Sequence, residues 1–336
     1  MIDFLQRLFG KTAPAPSAAP PSLPPTPAMQ TSDENIAAPN EAWQTDEKFD
    51  QLYLQWMLGN HISAASPYVE RTILLALDKL MQSGLSASQL LPRVPTVLLQ
   101  VLKSLRDSNV SANDLAQQIA KDVLLVAELL HEVNGAYYSP VNRISSLDSA
   151  IQLLGLNGLR ILIARTAFRP IIQTQSGKLT KELAPTIWEH SEKNALACQL
   201  LAQQRQLDQF HAFLAGLLYD VGLIVAFRLV DQTGVTDKLP VSAAFQTIFF
   251  KQAALLSIQV GEQWEFPKPV LQAIKDNADE HSRPSELATC LQQAEQLARL
   301  RLLVNHKILT QTDALRLLEG NSGMRQCFEQ LNKAQA

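Results

Sequence analysis

The sequence contains few cysteines, and their positions exclude the common short ligand spacings. Cys198, Cys290 and Cys327 form no C-x-x-C pair, so neither a zinc site nor a disulfide framework is indicated. Three unpaired thiols fit a reducing, cytosolic setting. The first residues lack the long apolar core and small-residue cleavage site of a secretory signal, so we expect a cytoplasmic location.

An excess of charge of one sign is also missing. The chain has 29 basic and 32 acidic residues, for a formal net charge of -3. This balance argues against nucleic acid or an anionic membrane surface as the main partner. The sequence also has no G-x-x-x-x-G-K-[ST] loop, no G-x-G-x-x-G and no G-x-S-x-G, which argues against common nucleotide-binding and serine-hydrolase architectures.

One apolar run is long enough to be mistaken for a membrane span. Residues Phe213 to Val230 are strongly apolar, but Asp220 lies inside the run and two glycines interrupt it. A carboxylate at the centre of a bilayer costs about 2.5 kcal/mol or more. We therefore predict a buried helical pair here and no transmembrane segment.

Residues 1–45 differ in composition from the rest of the chain. Met1–Gly10 has apolar residues at helical spacing and forms either a short amphipathic helix that docks on a partner or membrane face, or a frayed end. The following residues, 11–45, are rich in proline and then polar, which prevents a packed core. We predict that residues 1–45 are a disordered tail or linker.

From residue 46 onward, apolar residues recur with helical periodicity, and this predicts an all-α fold. One helix is expected to end at Gly59-Asn60 and a second to span about Pro67 to Met81, forming a helical hairpin over residues 46–88. Later helices are predicted to begin at two capping signatures, Ser111 with Asp114 and Ser145 with Asp148. The pair Asn157-Gly158 is expected to separate the helix that carries Ile151 and Leu154 from one spanning Leu159 to Phe168.

The segment Ser111 to Val133 has the layout of a helix-turn-helix motif. A recognition helix needs polar and basic side chains for base edges and phosphates. The second helix instead reads DVLLVAELLHEV, which is apolar and acidic. We therefore interpret the segment as a packing hairpin and expect no nucleic-acid partner.

The stretch from Trp188 to Val230 carries a candidate site. A helix is expected to open near His190, and an apolar run follows that contains Tyr219-Asp220-Val221-Gly222. This layout is similar to the HD superfamily of metal-dependent phosphohydrolases, in which a histidine and, about thirty residues later, a His-Asp dyad bind a metal. Tyr219 stands where that family has the dyad histidine. A phenol with an ordinary pKa near ~10 is a poor ligand at neutral pH, and one histidine with one carboxylate is too few. The alternative for His190 is a helix-terminal residue bonded to a neighbouring carbonyl.

Several ordered motifs resemble the HDOD domain, a degenerate HD relative of bacterial signalling proteins. They are the LPRVP opening, a D-x-x-L-x-x-x-L-L-x-x-x-N stretch followed by NGAYY, and ISSLDSAIQLLG. The similarity continues through WEHS and GLLYDVG to EQWEFPKPVLQAI, which places the domain at residues 89–280. A carboxy-terminal helical extension would then occupy residues 281–336, where His281 and His306 are read as solvated.

The resemblance also locates the remaining metal-ligand positions of multi-metal HD relatives. They fall near Ala253 and near Asn277 and Ala278, and Asp276 and Asp279 lie nearby. No histidine remains at these positions except His190. The resemblance therefore implies a non-catalytic domain without a metal or other cofactor.

These expectations define a function and its rivals. We predict an HDOD signal-transduction module that acts through contacts with other signalling proteins and has no enzymatic activity. In it, His190, Tyr219 and Asp220 would form a buried hydrogen-bonded cluster. The alternatives are a residual metal-dependent phosphohydrolase or cyclic-nucleotide phosphodiesterase, and a module that senses a nucleotide without turnover.

Overall fold

The computed structural model describes residues 46–83, 90, 96–106, 111–121, 123–135, 138, 140–173, 177–240, 242–279 and 283–333. This part of the chain is helical apart from one short pair of strands, so the all-α prediction is confirmed. The predicted tail, residues 1–45, lies outside the described residues. The helices are α1 (Asp46–Leu58), α2 (Pro67–Ser83), α3 (Thr96–Arg106), α4 (Ala112–Ile119), α5 (Val123–Val133), α6 (Leu147–Gln173), α7 (Lys178–Gln204), α8 (Gln209–Tyr219), α9 (Val221–Thr233), α10 (Ala243–Gln263), α11 (Lys268–Ala278), α12 (Glu286–Asn305), α13 (Gln311–Leu317) and α14 (Ser322–Lys333).

The first two helices pack on different parts of the core. Helix α1 lies against α7 and α12, whereas α2 lies against α9 and α10. Gly59 ends α1 with φ of 52°, a left-handed conformation that glycine adopts at low cost. Strand β1 (Ile62–Ser63) then pairs in parallel with β2 (Leu239–Pro240). Strands of two residues carry no alternating pattern, so sequence periodicity could not predict them.

Helices α3 to α6 form the amino-terminal half of the domain. The predicted cap at Ser111 is confirmed, because Asp114 N donates to Ser111 Oγ at 3.1 Å and Ser111 N donates to the Asp114 carboxylate at 2.9 Å. The second predicted cap is wrong by one residue. Helix α6 begins at Leu147, so Ser146 occupies the capping position and accepts from Ser149 N at 3.2 Å.

Helix α6 breaks at a different glycine from the one predicted. Gly155 has φ of 65° and ψ of -175°, a conformation open mainly to glycine, whereas Asn157 and Gly158 are helical. The chain then stays helical beyond Phe168 and through Pro170 to Gln173.

Helices α4 and α5 are the two helices of the hairpin predicted for Ser111 to Val133. Each buries an apolar stripe, formed by Leu115, Ala116 and Ile119 in α4 and by Leu125, Leu129 and Val133 in α5.

Helices α8 and α9 form the buried pair that the sequence predicts. In the most apolar window of Gln209–Thr233, 94% of the residues are buried. Leu147–Gln173 is also long and apolar enough, by length and composition, to cross a membrane, with 33% of its window buried and the Gly155 break inside it. Helix α8 approaches α7 closely, since a Cβ on Gly216 would lie 2.5 Å from Ala195 Cα.

The carboxy-terminal helices continue the same core. Buried apolar residues from Phe49 to Leu331 form one contiguous cluster. Arg301, buried in α12, donates to Phe328 O at 2.7 Å and to Gln311 Oε1 at 3.1 Å, and this fixes α14 on α12. The division of the chain into a tail, a hairpin, a central domain and an extension stays a prediction.

Candidate functional site

His190 lies in the middle of helix α7, not at its start. The helix begins at Lys178, and Asp231 binds its first turn by accepting from Leu179 N and Thr180 N, each at 2.9 Å. The predicted opening near His190 is therefore wrong, because a cap from a distant helix fixes the true start. His190 is 2% exposed and is not a helix-terminal residue bonded to a carbonyl.

Asp220 occupies the sharp turn between α8 and α9. Ser257 of α10 secures this turn: its Oγ accepts from Gly222 N at 2.8 Å and donates to Tyr219 O at 2.7 Å. A Cβ on Gly222 would lie 2.0 Å from Ala253 O, so glycine is required for the two helices to approach this closely. Ala253 therefore lies on the α10 surface that contacts the turn, and its side chain is buried.

His190 and Asp220 form a buried pair. The distance from His190 Nδ1 to Asp220 Oδ2 is 2.6 Å, and Ser191 Oγ donates to the same oxygen at 2.9 Å. The remaining atoms of the pair, His190 Nε2 and Asp220 Oδ1, are buried and have no hydrogen-bond partner among the described residues. A carboxylate that accepts from Nδ1 fixes the orientation of the imidazole and directs Nε2 away from itself.

Tyr219 is not part of this pair, and the predicted three-residue cluster is wrong in that respect. Its hydroxyl donates to Glu295 Oε2 at 3.1 Å and accepts from Asn277 Nδ2 at 3.2 Å. Burial and the nearby Glu295 carboxylate raise the pKa of Tyr219 well above its ordinary value. The phenol therefore keeps its proton and acts as a hydrogen-bond donor.

Three residues that the sequence reading missed complete the site. Glu295 and Arg299 are an ion pair one turn apart on α12, and both are buried. Burial raises the pKa of Glu295, but the Arg299 guanidinium lowers it, and the net direction is downward. Tyr53 of α1 places its ring 5.3 Å from the His190 ring and 5.1 Å from the Arg299 guanidinium carbon. The only sequence signal was the spacing of Glu295 and Arg299 within a leucine-rich helix.

Other polar residues near the site have separate roles. Asp276 accepts from Gln272 Nε2 at 2.6 Å and from Ser285 N at 3.1 Å, and Asp279 is exposed. His306 is exposed, as the sequence predicts, and it also lies 3.0 Å from the Glu189 carboxylate, with its ring 5.0 Å from that of Trp56. His281 lies outside the described residues.

A metal of the HD type does not fit the residues present. Tyr219 and Asn277 are bonded to protein groups, and Ala253 supplies only a methyl. Of the ligand positions named above, this leaves His190 Nε2 and Asp220 Oδ1 as the two atoms without a partner among the described residues. Hydrolytic metal sites use three or more protein ligands and an open position. In the described ranges, no three His, Cys, Asp or Glu side chains are arranged to hold a metal ion.

The three cysteines, scattered in sequence, lie near one another in the fold. The Cys290 thiol lies 3.4 Å from Cys198 O, and the Cys327 thiol lies 3.8 Å from Ala197 O. All three are buried, and burial raises the pKa of Cys290 to about 11 and of Cys327 to about 12. They behave as small apolar residues in the contact of α7 with α12 and α14.

A comparison with protein-family models shows which family the chain belongs to. The family model of the HDOD domain matches residues 91–280, more than half of the chain. The chain belongs to the HDOD domain family. Tyr53, Glu295 and Arg299 therefore lie outside the matched HDOD segment, and helices on both sides of that segment complete the site. No curated protein matches this chain.

Solved structures show the same fold. An HDOD domain protein of unknown function from Geobacter sulfurreducens is 23% identical, with a TM-score of 0.55, over 79% of this chain and 89% of that one. A proposed metal-dependent phosphohydrolase from Shewanella amazonensis is 17% identical, with a TM-score of 0.56, over 80% of this chain and 99% of that one. A proposed signal transduction protein from Marinobacter aquaeolei is 18% identical, with a TM-score of 0.53, over 86% of this chain and 70% of that one. At these identities the likeness shows the fold alone.

Proposed function

We propose that this HDOD protein is a non-catalytic signal-transduction module that acts in the cytoplasm through contacts with other proteins. The observation that carries the proposal is the environment of Tyr219. This residue replaces a metal ligand, and its hydroxyl is held between Glu295 and Asn277. A side chain used in this way joins α8, α11 and α12 and leaves no open coordination position.

Helix α1 covers the site, and this supports the same proposal. Tyr53 of α1 lies on His190, and Trp56 of the same helix lies on His306. His190 and Asp220 are 2% and 1% exposed. A phosphoester substrate must reach the catalytic groups of an enzyme. Here α1 would have to detach from the helical core before a substrate could contact His190 and Asp220.

Metal content and turnover, measured on the full chain, test the absence of catalysis. The protein is loaded with Mn²⁺ or Fe²⁺, dialysed, analysed for metal and assayed with bis(p-nitrophenyl) phosphate and with cyclic dinucleotides. We expect no stoichiometric metal and no hydrolysis. Stoichiometric metal together with turnover that is lost in Asp220→Asn would refute the proposal.

A capture experiment tests the contacts with other proteins. The full chain and a version lacking residues 1–45 are used as baits, and each captured protein is then purified and its affinity measured. We expect at least one partner that binds the purified full chain saturably. If no captured protein binds in the purified system, the adaptor function fails.

One observation favours the rival function, a residual metal-dependent phosphohydrolase or cyclic-nucleotide phosphodiesterase. Within the part of the chain that the structure describes, His190 Nε2 and Asp220 Oδ1 are buried acceptors without a hydrogen-bond partner, and both atom types are metal ligands. The variant Tyr219→His tests whether this pair lacks only the third ligand. If only the variant binds metal and hydrolyses substrate, the wild-type site is an HD site that has lost its activity together with the histidine. If the wild type itself hydrolyses substrate, the protein is an enzyme.

A further inference from the structure

A cleft with two lobes lies beside helix α5, away from the His190–Asp220 pair. The lobes have volumes of about 920 and 420 Å³, and Ala127 and His131 line both of them. Trp188 of α7 lines the smaller lobe. Because Trp188 precedes His190 by two residues, a rotation of about 200° on a helix, the two side chains point to opposite faces of α7.

The smaller lobe is held in shape by an ion-pair chain. Glu132 binds Arg165 at 3.2 Å and Arg169 at 3.0 Å, and Arg165 also binds Glu192 at 2.6 Å. These pairs fix α5, α6 and α7 around the lobe. Ala127, Pro170 and Trp188 supply apolar surface, and the Arg169 guanidinium carbon lies 5.9 Å from the Trp188 ring centre.

One amide side chain holds the wall of the larger lobe in place, and two polar side chains that line this lobe are available to a ligand. Asn134 donates to Ile144 O at 2.7 Å and accepts from Ile144 N at 2.8 Å, which pins the wall of the lobe to α5. Arg143 and His131 line this lobe and are exposed. Within the described part of the chain, neither side chain takes part in a hydrogen bond or ion pair.

The charges of the lining set the class of ligand. Arg165 and Arg169 of the smaller lobe are paired with Glu132 and Glu192, whereas Arg143 of the larger lobe has no ion-pair partner among the described residues. The free guanidinium of Arg143 suits a phosphate, which arginine binds with two parallel hydrogen bonds. The smaller lobe combines apolar surface with one donor and one acceptor, Arg169 and Glu128, which suits a planar ring with polar edges.

We propose that this cleft binds a mononucleotide. The base occupies the smaller lobe beside Trp188 and Pro170, with its polar edge at Arg169 and Glu128. The phosphate lies in the larger lobe at Arg143 and His131. A lobe of about 420 Å³ falls within the range of about 300 to 1,000 Å³ found for ligand pockets. This inference is independent of the adaptor proposal, which concerns the opposite face of α7.

Isothermal titration of the full chain with AMP, GMP, CMP and UMP tests the site, with adenosine, guanosine and inorganic phosphate as partial probes. We expect at least one mononucleotide to bind, and to bind at least tenfold more weakly to Arg143→Ala. Glu128→Gln should change the preference among bases. Arg325→Ala, an exposed arginine of α14 that pairs with Glu329, is the matched control and should bind like the wild type.

Three outcomes would overturn the proposal. If no mononucleotide binds at millimolar concentration, the proposed ligand is wrong. If Arg143→Ala binds with the affinity of the wild type, the proposed location of the phosphate is wrong. If inorganic phosphate binds as tightly as the mononucleotide, the cleft binds anions only. Arg143 is exposed, so Arg143→Ala is expected to fold, and a matching thermal melt confirms that a lost signal is due to lost binding.

Discussion

Helix α7 separates two polar regions with opposite properties. On one face, His190, Asp220, Glu295 and Arg299 are buried and bonded to protein groups. On the other face, the cleft beside α5 presents exposed side chains such as Arg143 and Glu128. Polar groups that are paired inside a fold contribute to its stability, and exposed ones remain available to a ligand. Substitutions on the first face should therefore change stability, and substitutions on the second should change binding.

The largest effect is expected for Glu295→Ala. This change removes the carboxylate that Arg299 and Tyr219 bind. Removing one member of a buried ion pair costs about 3–5 kcal/mol, whereas Glu128→Ala in the cleft should stay within about 0.5 kcal/mol. Urea denaturation of both variants measures the difference. Equal free energies of unfolding for the two variants would erase the contrast between the two faces.

Lys193→Met should stabilise the protein. Lys193 lies one turn after His190 and is 1% exposed, and burial lowers its pKa to about 8. Below pH 8 the charged lysine is disfavoured in the folded state by roughly 3 kcal/mol, at about 1.4 kcal/mol for each pKa unit. We expect a gain on the order of 2–3 kcal/mol at pH 7 and little change for the exposed control Lys251→Met.

The pH dependence of this gain gives a sharper test. Between pH 8 and the ordinary lysine value of 10.5, the unfolded chain binds more protons at Lys193 than the folded chain does. The wild type therefore gains stability relative to Lys193→Met as the pH rises through this window. The advantage of the variant should disappear above about pH 10.5. An advantage that stays constant across the window would mean that Lys193 has the same pKa in the folded and unfolded chains, so that burial does not lower it.

A smaller loss is expected for Tyr219→Phe. The change removes a hydroxyl that donates to Glu295 and accepts from Asn277. A hydrogen bond to a charged group contributes about 1.5–3 kcal/mol, and we expect a loss of about 1–2 kcal/mol in thermal or urea denaturation. Tyr68→Phe is the control, since Tyr68 is 74% exposed. Unchanged stability in Tyr219→Phe would contradict the buried network.

The smallest effect on stability is expected for Arg143→Ala. Its side chain is exposed, so the free energy of unfolding should change by less than about 0.5 kcal/mol. The same variant should lose mononucleotide affinity at least tenfold. A large loss of stability would place Arg143 in the structural network and would remove the contrast with the buried site.

Much of the fold follows from local patterns that the sequence already contains. The helical periodicity, the cap at Ser111 and the end of α1 at Gly59 depend on interactions within a few residues. The errors lie where a distant group or a close contact decides the outcome. Asp231 sets the start of α7 from 52 residues away, and the break in α6 uses Gly155 where Asn157-Gly158 offers an equally plausible local signal.

By itself, the sequence determined the helical class, the HDOD pattern and the loss of histidine at the dyad position. The resemblance to the HD pattern also placed His190 and Asp220 at one site. Only the tertiary structure decided what Tyr219 binds, since its partners Glu295 and Asn277 lie 76 and 58 residues away. It also brought Tyr53 of α1 onto the site and formed the cleft beside α5. Contacts between helices distant in sequence have no period or spacing, and they exist only once the core has packed.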